Sequence, residues 1–306
     1  MKSFLGLTRR NLLLFFKDKQ SVVFSLLASI IVFVLYLLFL KGTFVNAMNA
    51  TLEEYSGLSL LISETEVNMF ADLVLLTGIL GTAMITVPYN CLTTIVRDKE
   101  NKIDYDILAT PIKRSRIILA YFVSAALSSI ILTGIILSVG LVVISMQGTI
   151  YMDFGRIAAA YGTAALGSVS ATAFFMIVVL FFKTTSASGA FFGILSAAAG
   201  FIIGAYVPIS QFSTGVQTVC NIFPASHVTI LMRNVMMNGM MEHMDSVLSG
   251  VDNGMFVSEI KKQFSFEAYL FGGYFDVSRM LIYVLAAAVI CIALQIFLYS
   301  KTYKKK

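Results

Sequence analysis

The sequence predicts an all-α integral membrane protein. Six transmembrane helices follow an amphipathic helix lying in the membrane interface, and a re-entrant helical hairpin enters from the outer side. Three observations predict it. Of 306 residues, 58% are hydrophobic and only 13% charged, with a mean hydropathy of +0.86, whereas a soluble domain carries roughly 25% charged residues. The charges are bunched, leaving uncharged stretches of the ~20 residues that an α-helix needs to cross a hydrocarbon core. Those stretches are continuous and lack the alternating polarity of barrel strands. No soluble domain fits between them, so residues 1–306 read as one transmembrane domain.

Residues 2–19 place Phe4, Leu7, Leu14 and Phe15 on one helical face and Lys2, Arg9, Arg10 and Lys17 on the opposite arc. Such a helix lies in the inner interface with its basic face on anionic lipid headgroups; a plain positive-inside anchor is the alternative. The first span, 21–40, is longer than a signal-peptide core and starts later, so it is read as retained. An acidic outer loop, 42–71, leads to the second span, 73–96. The third covers 111–146 and is uncharged from residue 117 onward. Spans 157–182 and 186–206 carry small residues at four-residue intervals: Ala160 and Ala164; Gly189, Gly193 and Ala197; Gly200 and Gly204. Such spacing lets helix backbones approach closely in a bilayer, and packing within the chain is expected. Pro208 ends the fifth span.

The outer segment 207–278 begins with two apolar pieces, 213–223 and 225–237, divided by Pro224. Each is under ~20 Å long as a helix, too short to cross a ~30 Å core, yet too apolar for open water. A hairpin packed against the bundle satisfies both conditions. Residues 238–278 read as a small outward cap before the sixth span, 280–300, and a lysine tail, 304–306.

Orientation follows from the basic residues. Six spans put both termini on one side, and that side holds sixteen of the 22 Lys and Arg, whereas twelve of the seventeen Asp and Glu fall on the other. Both termini are therefore expected in the cytoplasm, in a multi-pass protein of the cell membrane. The net charge of +5 reports this topology and gives no case for nucleic acid.

Several chemistries are absent from the sequence. There is no G-x-x-x-x-G-K-[ST] loop for nucleotide phosphates, and no H-E-x-x-H or G-x-S-x-G. Cys91, Cys220 and Cys291 are too few and scattered for a disulfide framework or zinc site. His227 and His243 lack the spacing of a metal pair and are expected to be polar or interfacial. No catalytic residue, bound metal or cofactor is expected. The spans carry no charge except near their ends, which argues against proton coupling; energy for uphill movement must enter from a separate component. Asp104-Tyr105-Asp106 is a D-x-D, the spacing a membrane glycosyltransferase uses to hold a metal and a sugar nucleotide. On a helix, however, the two carboxylates diverge by about 200°.

Residues 97–116 carry ten charged side chains in twenty positions. Thr110-Pro111 suits the N-cap and first position of a helix, and a residue before proline is steered away from helix. The third span is thus expected to start at Pro111, leaving a short helix at 100–109 across the cytoplasmic face. It would carry Glu100, Asp104 and Asp106 beside an apolar ridge of Ile103 and Ile107, suited to docking in another protein's cleft.

Here the sequence resembles the permeases of type-2 ABC transporters. Their cytoplasmic segment reads roughly acidic-basic-x-Gly-Thr-acidic-x-Leu-Leu-x-Thr-Pro before the third span. "RDKENKIDYDILATP" aligns without a gap, with Glu100, Asp104, Leu108, Thr110 and Pro111 on matching positions; Lys102 and Ile103 depart from the usual Gly and Thr. "IIGAYVPIS" and "NIFPASHVTILMRNVM" are similar to that family's end of span five and its re-entrant hairpin. The resemblance implies a half-transporter that pairs with a second permease chain, identical or a sister. It would recruit two copies of a cytosolic ABC ATPase, in which ATP and Mg are bound. Residues 100–108, with Tyr105 among them, and the Thr110-Pro111 turn would form the ATPase-coupling element. Pro208, Pro224, His227 and Arg233 would belong to the hairpin that roofs the outward end of the pathway. Uncharged spans rich in Phe and Met favour a hydrophobic or amphipathic cargo, such as a drug, peptide or lipid, in a bacterial membrane. A scaffold, scramblase or channel subunit without ATPase coupling is the alternative.

Overall fold

The computed structural model describes residues 2–54, 61–248 and 252–302. Six of its helices are long and apolar enough to cross a membrane. A central helix, α4 (Glu64–Glu100), runs 37 residues through the middle of the bundle and is buried along most of its length. It opens with a capping box: Ser63 Oγ accepts from the Glu66 N–H, and Glu66 accepts from the Ser63 N–H at 2.8 Å. Around it pack α2 (Lys19–Leu35), α6 (Arg114–Ser145), α7 (Phe154–Leu180), α8 (Thr185–Ile202) and α10 (Pro224–Val247).

The N-terminal helix α1 (Lys2–Lys17) buries Leu7, Thr8, Asn11 and Phe15, chiefly against α6. Its basic arc is divided. Lys2, Arg9 and Lys17 are exposed, but Arg10 turns onto α4 instead of facing headgroups. The first span continues past its expected end, because α2 passes through a π-helical turn, Tyr36–Leu40, into α3 (Lys41–Glu54). The first part of the expected outer loop 42–71 is therefore helix, while residues 55–60 lie outside the described residues. The π turn has a local cause. Its wider i→i+5 repeat brings Tyr36 and Lys41 toward one side, where the Tyr36 hydroxyl (2.5 Å) and Lys41 Nζ (3.2 Å) both donate to Asp72 of α4.

At the other end of α4, Asn101 and Lys102 turn the chain, Lys102 at φ 61°, into the short helix α5 (Ile103–Ala109). The expectation that the third span starts at Pro111 is not met: α6 begins at Arg114, with Lys113 in the N-cap position. Thr110 instead closes the preceding helix, its Oγ1 donating to the Ile107 carbonyl at 2.5 Å. Thr110 and Pro111 form an exposed link.

The segment after α8 departs most from expectation. The first arm, α9 (Thr214–Ile222), is short, as its composition suggests. The second, α10, has 24 residues, about 36 Å at 1.5 Å per residue, and does not stop near residue 237. It continues because Met240, Met241 and Met244 remain in the core with Met48 and Phe70. Beyond it come α11 (Met255–Gln263) and a two-stranded antiparallel hairpin, β1 (Ala268–Leu270) with β2 (Gly273–Phe275), so the chain is not purely α. Phe271 and Gly272 at the hairpin turn both have positive φ, 50° and 87°, as a two-residue type I′ turn requires. The last helix is α12 (Val277–Thr302); the tail 304–306 lies outside the described residues.

Three apolar clusters make up the core among the described residues. One, rich in methionine, surrounds the later turns of α10; a second lies toward α5; a small third joins Ile230 and Leu231 of α10 to Ala268 of β1 and Met280 of α12. Ala160 and Ala164 pack within the bundle as expected. The stripe of Gly189, Gly193 and Ala197 does not: all three are exposed, and a Cβ on either glycine would meet nothing within 4 Å. Cys91 and Cys220 are buried free thiols and Cys291 is half-buried.

Candidate functional site

The structure separates the candidate residues into two groups, one around α5 and one around the start of α10. The first surrounds α5. Of the residues expected to act together there, Glu100 is spoken for elsewhere. It is the last residue of α4, and its carboxylate accepts from the Thr185 N–H at 3.0 Å and the Thr185 hydroxyl at 2.5 Å. It thereby caps the N-terminus of α8, where a negative charge is favoured.

Helix α5 has no fully buried residue. Ile107 and Leu108 turn inward onto the apolar cluster below, so the expected ridge of Ile103 and Ile107 is split. Ile103 and Tyr105, 37% and 66% exposed, and Asp106 form the outward face. Asp104 is half-buried, with Oδ1 unpartnered among the described residues. Burial pushes its carboxyl above the ordinary value, and Lys99 nearby opposes that rise. Asp104 and Asp106 are thus in different surroundings, unlike a paired D-x-D. Lys99 Nζ donates to the Leu180 carbonyl at 3.0 Å, tying α4 to the end of α7 beside α5.

Beneath α5 lies a network that sequence reasoning missed. Asp98 is 2% exposed and accepts both guanidinium nitrogens of Arg10, at 2.7 and 2.9 Å, together with the Tyr121 hydroxyl at 2.5 Å. The carboxylate joins α1, α4 and α6, and its hydrogen bonds raise Arg10 above the ordinary guanidinium value. A cleft of about 330 Å³ opens beside it, between Arg10, Leu14, Lys17 and Asp18 of the N-terminal region and Arg97, Asn101 and Ile103. The only signal in the sequence is that Asp98 is the first acidic residue after the uncharged run 73–96.

The second group lies around the start of α10. Pro208 precedes a 3-10 turn, Ile209–Gln211, and Pro224 is the first residue of α10. Phe223, just before it, packs edge-on against Phe174 at 4.8 Å and Phe175 at 5.6 Å. Those rings belong to the later turns of α7, so the break between α9 and α10 reaches deep toward the α5 end. From there α10 runs back to His243, whose Nε2 lies 2.8 Å from Glu66 Oε1 in the first turn of α4.

His227 is fully buried. Its Nε2 lies 2.6 Å from the Asn221 carbonyl oxygen, its ring centroid lies 4.5 Å from that of Tyr283, and burial pushes it down to about 4. Arg233 is also fully buried and has no carboxylate partner among the described residues. It donates to the carbonyls of Phe264, Ser265 and Gly204, the latter two at 3.3 Å, and burial lowers it to about 10. One guanidinium therefore ties α10 to the turn after α8, which Pro208 follows, and to the loop after α11. His243 is half-buried and stacks on Tyr151 at 4.1 Å. Among the described residues, no three His, Cys, Asp or Glu side chains gather as a metal site needs.

A protein-family model described as ABC-2 family transporter protein matches residues 45–300. That range takes in both groups of candidate residues. No significant match was found among curated proteins.

Proposed function

We propose that this chain, which belongs to the ABC-2 transporter family, is the permease of an ATP-driven exporter and forms the pathway for a hydrophobic or amphipathic cargo. In this reading two copies of a separate cytosolic ATPase bind ATP and Mg, and two permease chains pair. Both termini and α5 face the cytoplasm of a bacterial cell. Helix α5 is the coupling element. The observation that carries the reading is the outward face of Ile103, Tyr105 and Asp106. An exposed isoleucine and tyrosine on a seven-residue helix suit the centre of a small interface, where aromatic side chains carry much of the binding energy.

A push on α5 reaches the bundle by two routes. Ile107 and Leu108 pass it to the apolar cluster below, and Glu100 holds the start of α8 beside it. The arms α9 and α10 form the re-entrant hairpin at the outward end. Arg233 makes the hairpin and the cap move together, since withdrawing it would strand a buried guanidinium.

The test is pull-down of the ATPase encoded alongside this chain, with Tyr105→Ala and Asp106→Lys variants compared with the unaltered protein. Loss of capture and of cargo-stimulated ATP hydrolysis is expected while membrane insertion persists. Normal capture and normal export by both variants would remove α5 from the coupling role.

A further inference from the structure

At the end of the bundle opposite α5, a cavity of about 930 Å³ opens between α10, α11 and the loop leading to β1. Its volume falls within the ~300–1,000 Å³ typical of small-molecule sites. The floor is a fixed polar lattice. Ser210 Oγ donates to the Gln263 carbonyl at 2.6 Å, and Ser265 Oγ accepts from the Ser210 N–H at 2.8 Å.

Two amide side chains in the wall, Asn234 and Gln217, are each only 8% exposed. Asn234 Nδ2 donates to the carbonyls of Ile230 and Phe266, at 3.0 and 2.7 Å. Gln217 Nε2 donates to those of Ser210 and Phe212, at 3.2 and 2.8 Å. With the amide donors so engaged, Asn234 Oδ1 and Gln217 Oε1 accept nothing from any described residue. Each is a buried side chain left with an open acceptor.

The charged groups lean the same way. Four carboxylates line the cavity against two lysines. Lys262 is 3.9 Å from Glu259, and Lys261 lies over the Phe266 ring at 6.0 Å. Glu242 is held by Arg156 at 2.6 Å. Asp245 and Glu267 have no ion-pair partner among the described residues. The cavity therefore offers two carboxylates and two amide oxygens, all acceptors, against one lysine, Lys261, whose charge no carboxylate offsets among the described residues.

We propose that this cavity is a binding site for a small organic polycation, one carrying two or more ammonium or guanidinium groups. Such a ligand supplies the N–H donors these four side chains lack, and its charge complements Asp245 and Glu267. The inference goes beyond the transport reading and stands without it, because binding needs neither an ATPase nor a membrane orientation.

The experiment is calorimetric titration of the purified full-length protein in detergent with tri-lysine and, separately, spermidine. Trialanine amide and tri-glutamate serve as neutral and anionic controls. Saturable binding of at least one polycation is expected, with none of either control. Binding of both cations supports the shared ammonium chemistry, tri-lysine alone assigns a peptide, and spermidine alone assigns a polyamine. The Asp245→Asn/Glu267→Gln double variant is expected to weaken binding about tenfold, the equivalent of ~1.4 kcal/mol. Both residues are exposed, so its thermal transition should match that of the parent. Absence of polycation binding, equal binding of tri-glutamate, or full affinity in the folded double variant would overturn the proposal.

Discussion

Replacing Asp98 by alanine takes away the acceptor of the Tyr121 hydroxyl and leaves the Arg10 guanidinium with Asn11 Oδ1, at 3.0 Å, in place of a carboxylate. Breaking a buried charge pair by removing one partner costs about 3–5 kcal/mol. Arg10 is one-third exposed (32%), so water recovers part of that, and a loss of about 2–3 kcal/mol is expected. Tyr121→Phe removes one hydrogen bond and should cost about 1 kcal/mol. Thermal unfolding in detergent gives the ranking, and hydrogen exchange over residues 2–17 should speed up in Asp98→Ala. Unchanged protection there would mean that the carboxylate does not hold α1. His227 makes a pH prediction. Its folded value is depressed from 6.5 to about 4, so the unfolded chain binds the proton more readily. The contribution is fully present above 6.5 and is lost as pH falls toward about 4, amounting to about 3 kcal/mol. A His227→Gln variant should lose that part of the acid slope; an identical slope would assign it to other groups.

Among the elements, α5 and the spans are legible in the sequence because both are written in local pattern, namely charge density and uncharged length. The role of Glu100 is not, since its partner Thr185 lies 85 positions away. The length of α10 is likewise hidden. Asn238, Glu242 and His243 look like the start of a polar cap, yet six methionines from Met232 to Met244 keep one face of that helix in the core. Methionine is unbranched and fills irregular gaps, so this face tolerates polar neighbours that a leucine pattern would not signal. The glycines show the same dependence on distant contacts. A Cβ on Gly239 would lie 1.7 Å from the Tyr151 carbonyl oxygen and 2.2 Å from Arg156 Nη1, whereas one on Gly189 meets nothing. Gly239→Ala must push α10 away from the loop before α7, and a destabilisation of about 1–3 kcal/mol is expected. Gly189→Ala, on an exposed helical face, should be neutral or stabilise by a few tenths up to ~1 kcal/mol. Similar melting temperatures for the two variants would show that the close approach at Gly239 carries no stability.

Over the whole molecule, the charge asymmetry carries the most information and yields a test of orientation. Sixteen of 22 basic residues fall on the side assigned to the termini, and the structure gathers Arg10, Lys17, Arg97 and Lys113 around α5. Glu66, Glu242 and Asp245 lie at the opposite end, where His243 meets Glu66. Basic residues near the ends of spans are retained in the cytoplasm, so α5 should face inward and α11 outward. Lys113 and Met255 are both exposed, the latter by 58%, and they sit at opposite ends of the bundle. Single Lys113→Cys and Met255→Cys variants therefore report the two faces without disturbing a buried contact. Cys91 and Cys220 are buried and add little background, and half-buried Cys291 is removed by alanine substitution in both variants. In intact cells a membrane-impermeant maleimide should label Met255→Cys and leave Lys113→Cys unmodified until the cells are opened. Labelling of Lys113→Cys alone in intact cells would invert the protein, placing α5 beyond the reach of any cytosolic ATPase. Coupling through Tyr105 and Asp106 would fail with it, even though every helix kept its place.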